Sequence, residues 1–121
     1  MKIRRVIIGS DHAGFRLKEI LKDYLFKKGI MVKDVGTFSD ESCDYPEFAF
    51  KVASSVSKKE FYRGILVCKT GIGNSIVANR FKGVRAALCY NLKATRLSRQ
   101  HNDANILVLG AEFLSLGLAK R

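Results

Sequence analysis

Apolar residues recur along this chain in short unbroken runs that alternate with longer stretches at helical spacing. The first run, over residues 3–9, predicts a strand. Residues 13–28 predict a helix, with Phe15, Ile20, Leu21, Tyr24 and Leu25 near helical spacing and Gly29 as the C-terminal stop. Ile30 to Val35 predicts a second strand, followed by a loop from Gly36 to Tyr45 rich in Ser, Asp and Thr. Pro46 opens the second helix in its first turn, where a missing N–H is not needed. That helix runs to about Ser57, with Phe48, Val52 and Val56 on one stripe. Residues 64–68 predict strand three, 74–81 helix three, Val84 to Cys89 strand four, 92–101 helix four and Ile106 to Leu109 strand five. Asn91 is placed to cap helix four. Phe113, Leu114, Leu116, Leu118 and Ala119 begin a last helical face, starting near Leu114 and still running at Arg121. The expectation is one domain over residues 1–121 with this C-terminal helix truncated.

Strands that alternate with helices through short connections demand parallel pairing and crossovers. The expected class is therefore α/β, a three-layer sandwich around a five-stranded parallel sheet. Ligands in such sheets bind at the carboxyl ends of strands, near a switch point. Two strand ends carry polar chemistry: Gly9-Ser10-Asp11-His12 after strand one, and Cys68 to Ser75 after strand three. Both are expected in one pocket.

Composition narrows the class. A chain of 121 residues, 47% hydrophobic and with one proline, supports one compact core. No apolar run is long enough to span a membrane. The basic-then-apolar start resembles a signal peptide, but the run stops at Gly9-Ser10-Asp11, too short for an h-region. The reading is a first strand in a cytoplasmic protein. Three cysteines without CxxC spacing fit neither a disulfide framework nor a zinc site. Cys89 reads as a buried small hydrophobe, and Cys43, in a polar loop, is assigned nothing. The net charge of +11 favours anionic partners. Its lysines and arginines are scattered as pairs without interleaved aromatics, which argues against nucleic acid and for a solvated surface.

The stretch Cys68-Lys69-Thr70-Gly71-Ile72-Gly73-Asn74-Ser75 is a strand end, a glycine-rich turn and a helix start. Such a turn aims free backbone N–H groups at one point and favours an anion there. It is not a phosphate-binding Gly-Lys-Ser/Thr loop, and it lacks the third glycine of a dinucleotide fingerprint. A thiol facing that cradle is expected to have a lowered pKa and to act as a nucleophile or base. Asp11-His12, at the end of strand one, forms a second candidate. His101 closes helix four, which places it at the opposite edge of the sheet from Cys68. It is then either a C-terminal histidine pairing with the helix dipole or a contributor to a neighbouring subunit's pocket in a homodimer.

Ser10-Asp11-His12-Ala13-Gly14, Asp44-Tyr45-Pro46, Cys68-x-Thr70-Gly71-x-Gly73-x-Ser75, Asn79-Arg80 and Ser98-Arg99-Gln100-His101-Asn102-Asp103-Ala104-Asn105 occur in this order. Together they resemble the ribose-5-phosphate isomerase B family, which also holds the galactose-6-phosphate isomerase subunits. The resemblance runs from about residue 3 to 120. It implies a dimer, or dimer of dimers, of Rossmann-like subunits with shared sites, interconverting ribose 5-phosphate and ribulose 5-phosphate without metal or other cofactor. It implies that Cys68 moves a proton between C2 and C1, and that Thr70 with the amides of Gly71, Ile72, Gly73, Asn74 and Ser75 stabilises the enediolate. His101 would assist ring opening, Asp11, Tyr45 and Asn102 would contact sugar hydroxyls, Asp44 would move protons between oxygens, and His12 would help hold the phosphate.

Three departures accompany the resemblance. Lys69 stands where family members usually have glycine, and is assigned here to substrate contact. Glu112 stands where they usually have arginine. Their further C-terminal phosphate-binding arginines lie beyond Arg121. Two other readings follow: a galactose- or allose-6-phosphate isomerase subunit, and a member that binds a sugar phosphate without turnover.

Overall fold

The computed structural model describes residues 5–39, 41 and 45–113. Met1 to Arg4, Cys43, Asp44 and the expected last helix from Leu114 lie outside the described residues. The elements follow in the order β1 (Arg5–Ser10), α1 (Phe15–Lys27), β2 (Met31–Asp34), α2 (Tyr45–Ser57), β3 (Gly64–Cys68), α3 (Ile72–Ala78), β4 (Ala86–Leu88), α4 (Leu92–Asn102) and β5 (Ile106–Gly110), with a 3-10 turn over Ala111–Phe113. The five strands form one parallel sheet in the order β2-β1-β3-β5-β4.

The burial pattern explains that order. β1, β3 and β5 are apolar nearly throughout and stand in the middle, where both faces are covered. β2 and β4, half-exposed along their length, form the edges. Successive side chains of the central strands go to opposite faces. Ile7, Leu66 and Val108 join Val52, Ala53 and Val56 of α2 and Ala78 of α3 in one core. Ile8, Val67 and Leu109 join Leu17 and Leu21 of α1 in the other. These are the three layers expected. The basic-then-apolar start is thus a central strand from Arg5 onward.

The element boundaries shift where side chains intervene. Helix three starts two residues earlier than its apolar pattern suggests, because Gly71 adopts a left-handed backbone (φ 87°) and turns the chain into the helix at once. It stops at Ala78, where the Asn79 carboxamide both bonds Ser75 O at 3.0 Å and clamps β4, donating to Ala86 O at 3.0 Å and accepting from Ala86 N at 2.8 Å. Strand four shortens to three residues because the Arg85 N–H is taken by the Asn105 side chain at 2.8 Å. Asn91 caps α4 as expected, accepting from Ala94 N at 2.8 Å.

The chain leaves β1 toward β2 on one side and returns to β3 on the other, so the switch point lies between β1 and β3. In register, Ser10 faces Val67 and Cys68 faces Gly110. The segment after β1, the cradle after β3 and the turn after β5 therefore meet at one end of the sheet.

Candidate active site

Cys68 closes β3, buried, and its sulfur accepts a hydrogen bond from the Gly71 N–H at 2.9 Å. The backbone N–H groups of Asn74 and Thr70 also point at it. The Thr70 hydroxyl accepts from Ile72 N at 3.2 Å, tightening the turn. The glycine-rich turn thus converges backbone donors on the thiol.

The expected lowering of the thiol pKa is not what the geometry gives. Burial pushes the Cys68 thiol up, and the charge of Asp11 adds to that; the N–H groups of Gly71, Asn74 and Thr70 oppose both but do not overcome them. The balance is physical: a thiolate in a site shielded from water loses more solvation than three amide dipoles return. The resting thiol is protonated at neutral pH.

Asp11 is brought to Cys68 as expected. Its N–H donates to Val67 O at 3.3 Å, and its Oδ1 accepts from Gly14 N at 2.9 Å, which fastens the start of α1 to the end of β1. His12 follows, half-buried, at the same strand end. Tyr45 is placed only as the first residue of α2. Asp44 belongs to the undescribed segment.

Lys69 is exposed on the rim, and its backbone lies outside the left-handed region; among the described residues only Lys59 and Asp103 adopt positive φ without being glycine. A side chain at position 69 is therefore compatible with the cradle. The Lys69 carbonyl accepts from Glu112 N at 3.0 Å, so Glu112, also exposed, leaves the chain next to the same rim.

His101 and Asn102 are not brought to Cys68. Both are exposed at the end of α4. Three residues on, Asn105 O accepts from Gly64 N at 3.0 Å, at the beginning of β3. Cys68 ends that strand, about 13 Å further along at the usual rise. Within one subunit the two halves of the resembling motif set lie at opposite ends of the sheet.

Two supports escaped the sequence reading. The Tyr90 hydroxyl donates to Thr70 O at 2.7 Å, tying the segment after β4 to the cradle. Gly110 lets β5 approach the same carbonyl: a Cβ there would stand 2.4 Å from Thr70 O. The available signals were a tyrosine directly after strand four and a glycine at the end of strand five. Among the described residues, no group of three or more His, Cys, Asp and Glu side chains is gathered to hold a metal ion, and no helix is long and apolar enough to cross a membrane.

Comparison with known proteins identifies the family and the fold. Residues 6–121 match the family model described as Ribose/Galactose Isomerase. The chain is 45% identical over 118 residues to the ribose-5-phosphate isomerase B of Escherichia coli, covering 98% of this chain and 79% of that protein. Its fold matches the solved structure of the Clostridium thermocellum ribose-5-phosphate isomerase B with a TM-score of 0.93 at 51% identity, over 95% of this chain and 78% of that one. The Thermotoga maritima ribose 5-phosphate isomerase structure gives a TM-score of 0.93 at 52% identity, over 96% and 80% of the two chains.

Proposed function

The chain belongs to the ribose/galactose isomerase family, and from that premise we propose that it is an aldose–ketose isomerase that interconverts ribose 5-phosphate and ribulose 5-phosphate with Cys68 as the base and no metal. The observation that carries the reading is the Cys68 sulfur held 2.9 Å from the Gly71 N–H at the head of the amide cradle.

The chemistry follows from that arrangement. The Cys68 thiolate takes the proton from C2 of the open-chain aldose. The electron pair moves into the C1–C2 bond and the carbonyl electrons onto O1, giving an enediolate. The N–H groups that hold the sulfur, with Thr70 and residues 71–75, stabilise the charge as it forms. One such donor is worth roughly 3–4 kcal/mol in comparable sites. The Cys68 thiol returns the proton to C1, while Asp11 and Asp44 manage protons on the sugar oxygens. His12 and the exposed Lys69 help hold the phosphate.

His101 and Asn102 act in this scheme from a partner copy, which makes the enzyme a homodimer with shared sites. The support is geometric: both residues are exposed and lie at the far end of their own sheet. A second support is apolar. Ile72 and Ile76 of α3 are 52% and 56% exposed beside the cradle, and Phe50 of α2, 51% exposed, stacks edge-on against Phe81 at 5.9 Å. That surface suits burial by a second copy. The reading places the enzyme in the cytoplasm.

The test is a coupled isomerase assay with ribose 5-phosphate, beside galactose 6-phosphate and allose 6-phosphate, on the wild-type chain and on Cys68→Ala. Activity on ribose 5-phosphate that drops about 10²–10⁴-fold in the variant is expected. A variant with near wild-type turnover removes Cys68 as the base. A preference for a six-carbon substrate reassigns the sugar. Binding without turnover by the wild-type chain overturns the enzymatic reading.

A further inference from the structure

Asn74 sits in the first turn of α3, three residues after Gly71. Its side chain is 1% exposed, yet neither Oδ1 nor Nδ2 has a hydrogen-bond partner. Buried carboxamides are ordinarily satisfied, because removing such a group from water without replacing its hydrogen bonds costs stability. An unmet buried pair of this kind calls for an explanation in function rather than in folding.

Its position supplies one. Asn74 and Ala78 form the buried face of α3, while Ile72 and Ile76 lie on its exposed face. The buried face is turned toward the sheet, at the strand end where Cys68 lies. The Asn74 backbone N–H already points at the Cys68 sulfur. The unpartnered carboxamide is therefore rooted beside the thiol. Among the described residues, the other buried side-chain atoms without a partner are Ser10 Oγ and Arg63 Nε. Neither residue contributes an N–H to the sulfur.

Resting on the reading that the cradle holds an enediolate, we infer that the Asn74 carboxamide contacts the reacting end of the sugar. Nδ2 donates to one of the oxygens on C1 and C2 as negative charge develops there, and Oδ1 accepts from the neighbouring hydroxyl. The group suits the task chemically. It offers a donor and an acceptor together. It is also neutral, so it adds no negative charge against the thiolate, in contrast to Asp11. The substrate then completes hydrogen bonds that the empty subunit leaves unmade, and part of the binding energy is directed at the atoms that change charge.

The experiment compares wild type with Asn74→Leu, which keeps the branched heavy-atom shape and removes both polar atoms. It uses thermal melting, kcat and KM on ribose 5-phosphate, and calorimetric binding of a four-carbon phosphohydroxamate, whose planar N–O group mimics the enediolate. The expected result is an unchanged or raised melting temperature, a kcat lowered roughly 100-fold with little change in KM, and hydroxamate affinity weakened by a similar factor. Affinity for inorganic phosphate stays unchanged. Should the leucine variant fail to fold, Asn74→Ser is read in its place, with the same loss of kcat and of hydroxamate affinity expected. Wild-type kcat and hydroxamate affinity in the folded variant would overturn the assignment, as would a loss matched by a fall in folded fraction alone. Cys68→Ala separates the two readings. If it stays active while Asn74→Leu loses hydroxamate binding, the base is wrong and Asn74 stands. If wild type binds no hydroxamate, the enediolate reading and the role of Asn74 fall together.

Discussion

The Cys68 sulfur accepts a hydrogen bond from the Gly71 N–H at 2.9 Å inside the residue's own strand-to-helix turn. In the proposed mechanism the contact places the base and the first of the charge-stabilising donors within four consecutive residues. In that mechanism the same amides serve the thiolate before reaction and the substrate oxygen during it.

The protonation of that sulfur sets the pH behaviour. In the proposed mechanism the active form is the thiolate, and burial and Asp11 hold the thiol above its ordinary value. kcat/KM is expected to rise with pH along a limb through neutrality and to level off only above about 8.5, the reference thiol value. Asp11→Asn removes one cause of the elevation, so its limb moves to lower pH even as sugar contacts are lost. A limb that stays in place detaches Asp11 from the thiol. The same shift links to stability. A group whose folded pKa is raised contributes below its unfolded value and loses that contribution as pH rises through the folded value. Wild type should therefore lose more stability than Cys68→Ala above about pH 8.5, read by urea unfolding.

Tyr90→Phe deletes the 2.7 Å bond to Thr70 O. The expected stability loss is about 0.5–1.5 kcal/mol, the usual net worth of such a bond. Because the carbonyl belongs to the cradle, kcat falls more than KM rises. An unchanged kcat with lowered stability assigns Tyr90 to structure alone.

The shared-site arrangement predicts complementation. Cys68→Ala and His101→Ala are each expected to be impaired as pure species. When they are unfolded together and refolded at equal amounts, half the dimers are mixed, and one site in each mixed dimer holds Cys68 with a partner His101. Activity should return to about a quarter of wild type. No recovery above the sum of the two variants refutes donation of His101 across an interface.

The Lys18–Asp34 contact anchors the approach to the site. The Lys18 ammonium, 0% exposed, donates to Asp34 Oδ2 at 2.6 Å, with the rings of Phe15 and Phe38 5.3 and 5.2 Å away. Lys22 donates to the same oxygen at 2.8 Å, and Asp34 Oδ1 accepts from Gly36 N at 2.9 Å. Gly36 O in turn accepts from Ser10 N at 2.8 Å, one residue before Asp11. Burial pushes the Asp34 carboxyl up, but the bonds from Lys18, Lys22 and Gly36 more than offset it and hold it below the usual range. Its contribution is present above about pH 3.9 and is lost as pH falls through the folded value. Asp34→Asn leaves the Lys18 charge buried with, among the described residues, only the Glu19 carboxylate nearby, at 3.5 Å. A loss of about 3–5 kcal/mol in urea unfolding near neutral pH is expected, together with a flatter acid limb of stability. A loss below 1 kcal/mol would show that the buried ammonium is compensated in another way.

Much of this was legible in one dimension because the governing rules are local. Unbroken apolar runs identified β1, β3 and β5, and Gly71 with Gly73 identified the cradle. The motif set from Ser10 to Asn105 identified the family, in agreement with the match over residues 6–121. The pKa of Cys68 was misread because residue spacing describes the donors around a sulfur but not its burial. Tyr90 and Gly110 were missed because each acts on Thr70 from a different strand, 20 and 40 residues away in sequence.

The sequence by itself determined the order of elements, the parallel α/β class and the residue types at the two strand ends, since these depend on periodicity and turn chemistry. The placement of His101 at the far end of its own sheet, already implied by the order of elements, is borne out by the bond from Gly64 N to Asn105 O. Tertiary structure alone decided that β5 inserts between β3 and β4, bringing Gly110 and Glu112 under the cradle. It also decided that the Asn74 carboxamide is buried without a partner. Each of these depends on how distant segments share one interior, where desolvation and register act together and no local pattern records their sum.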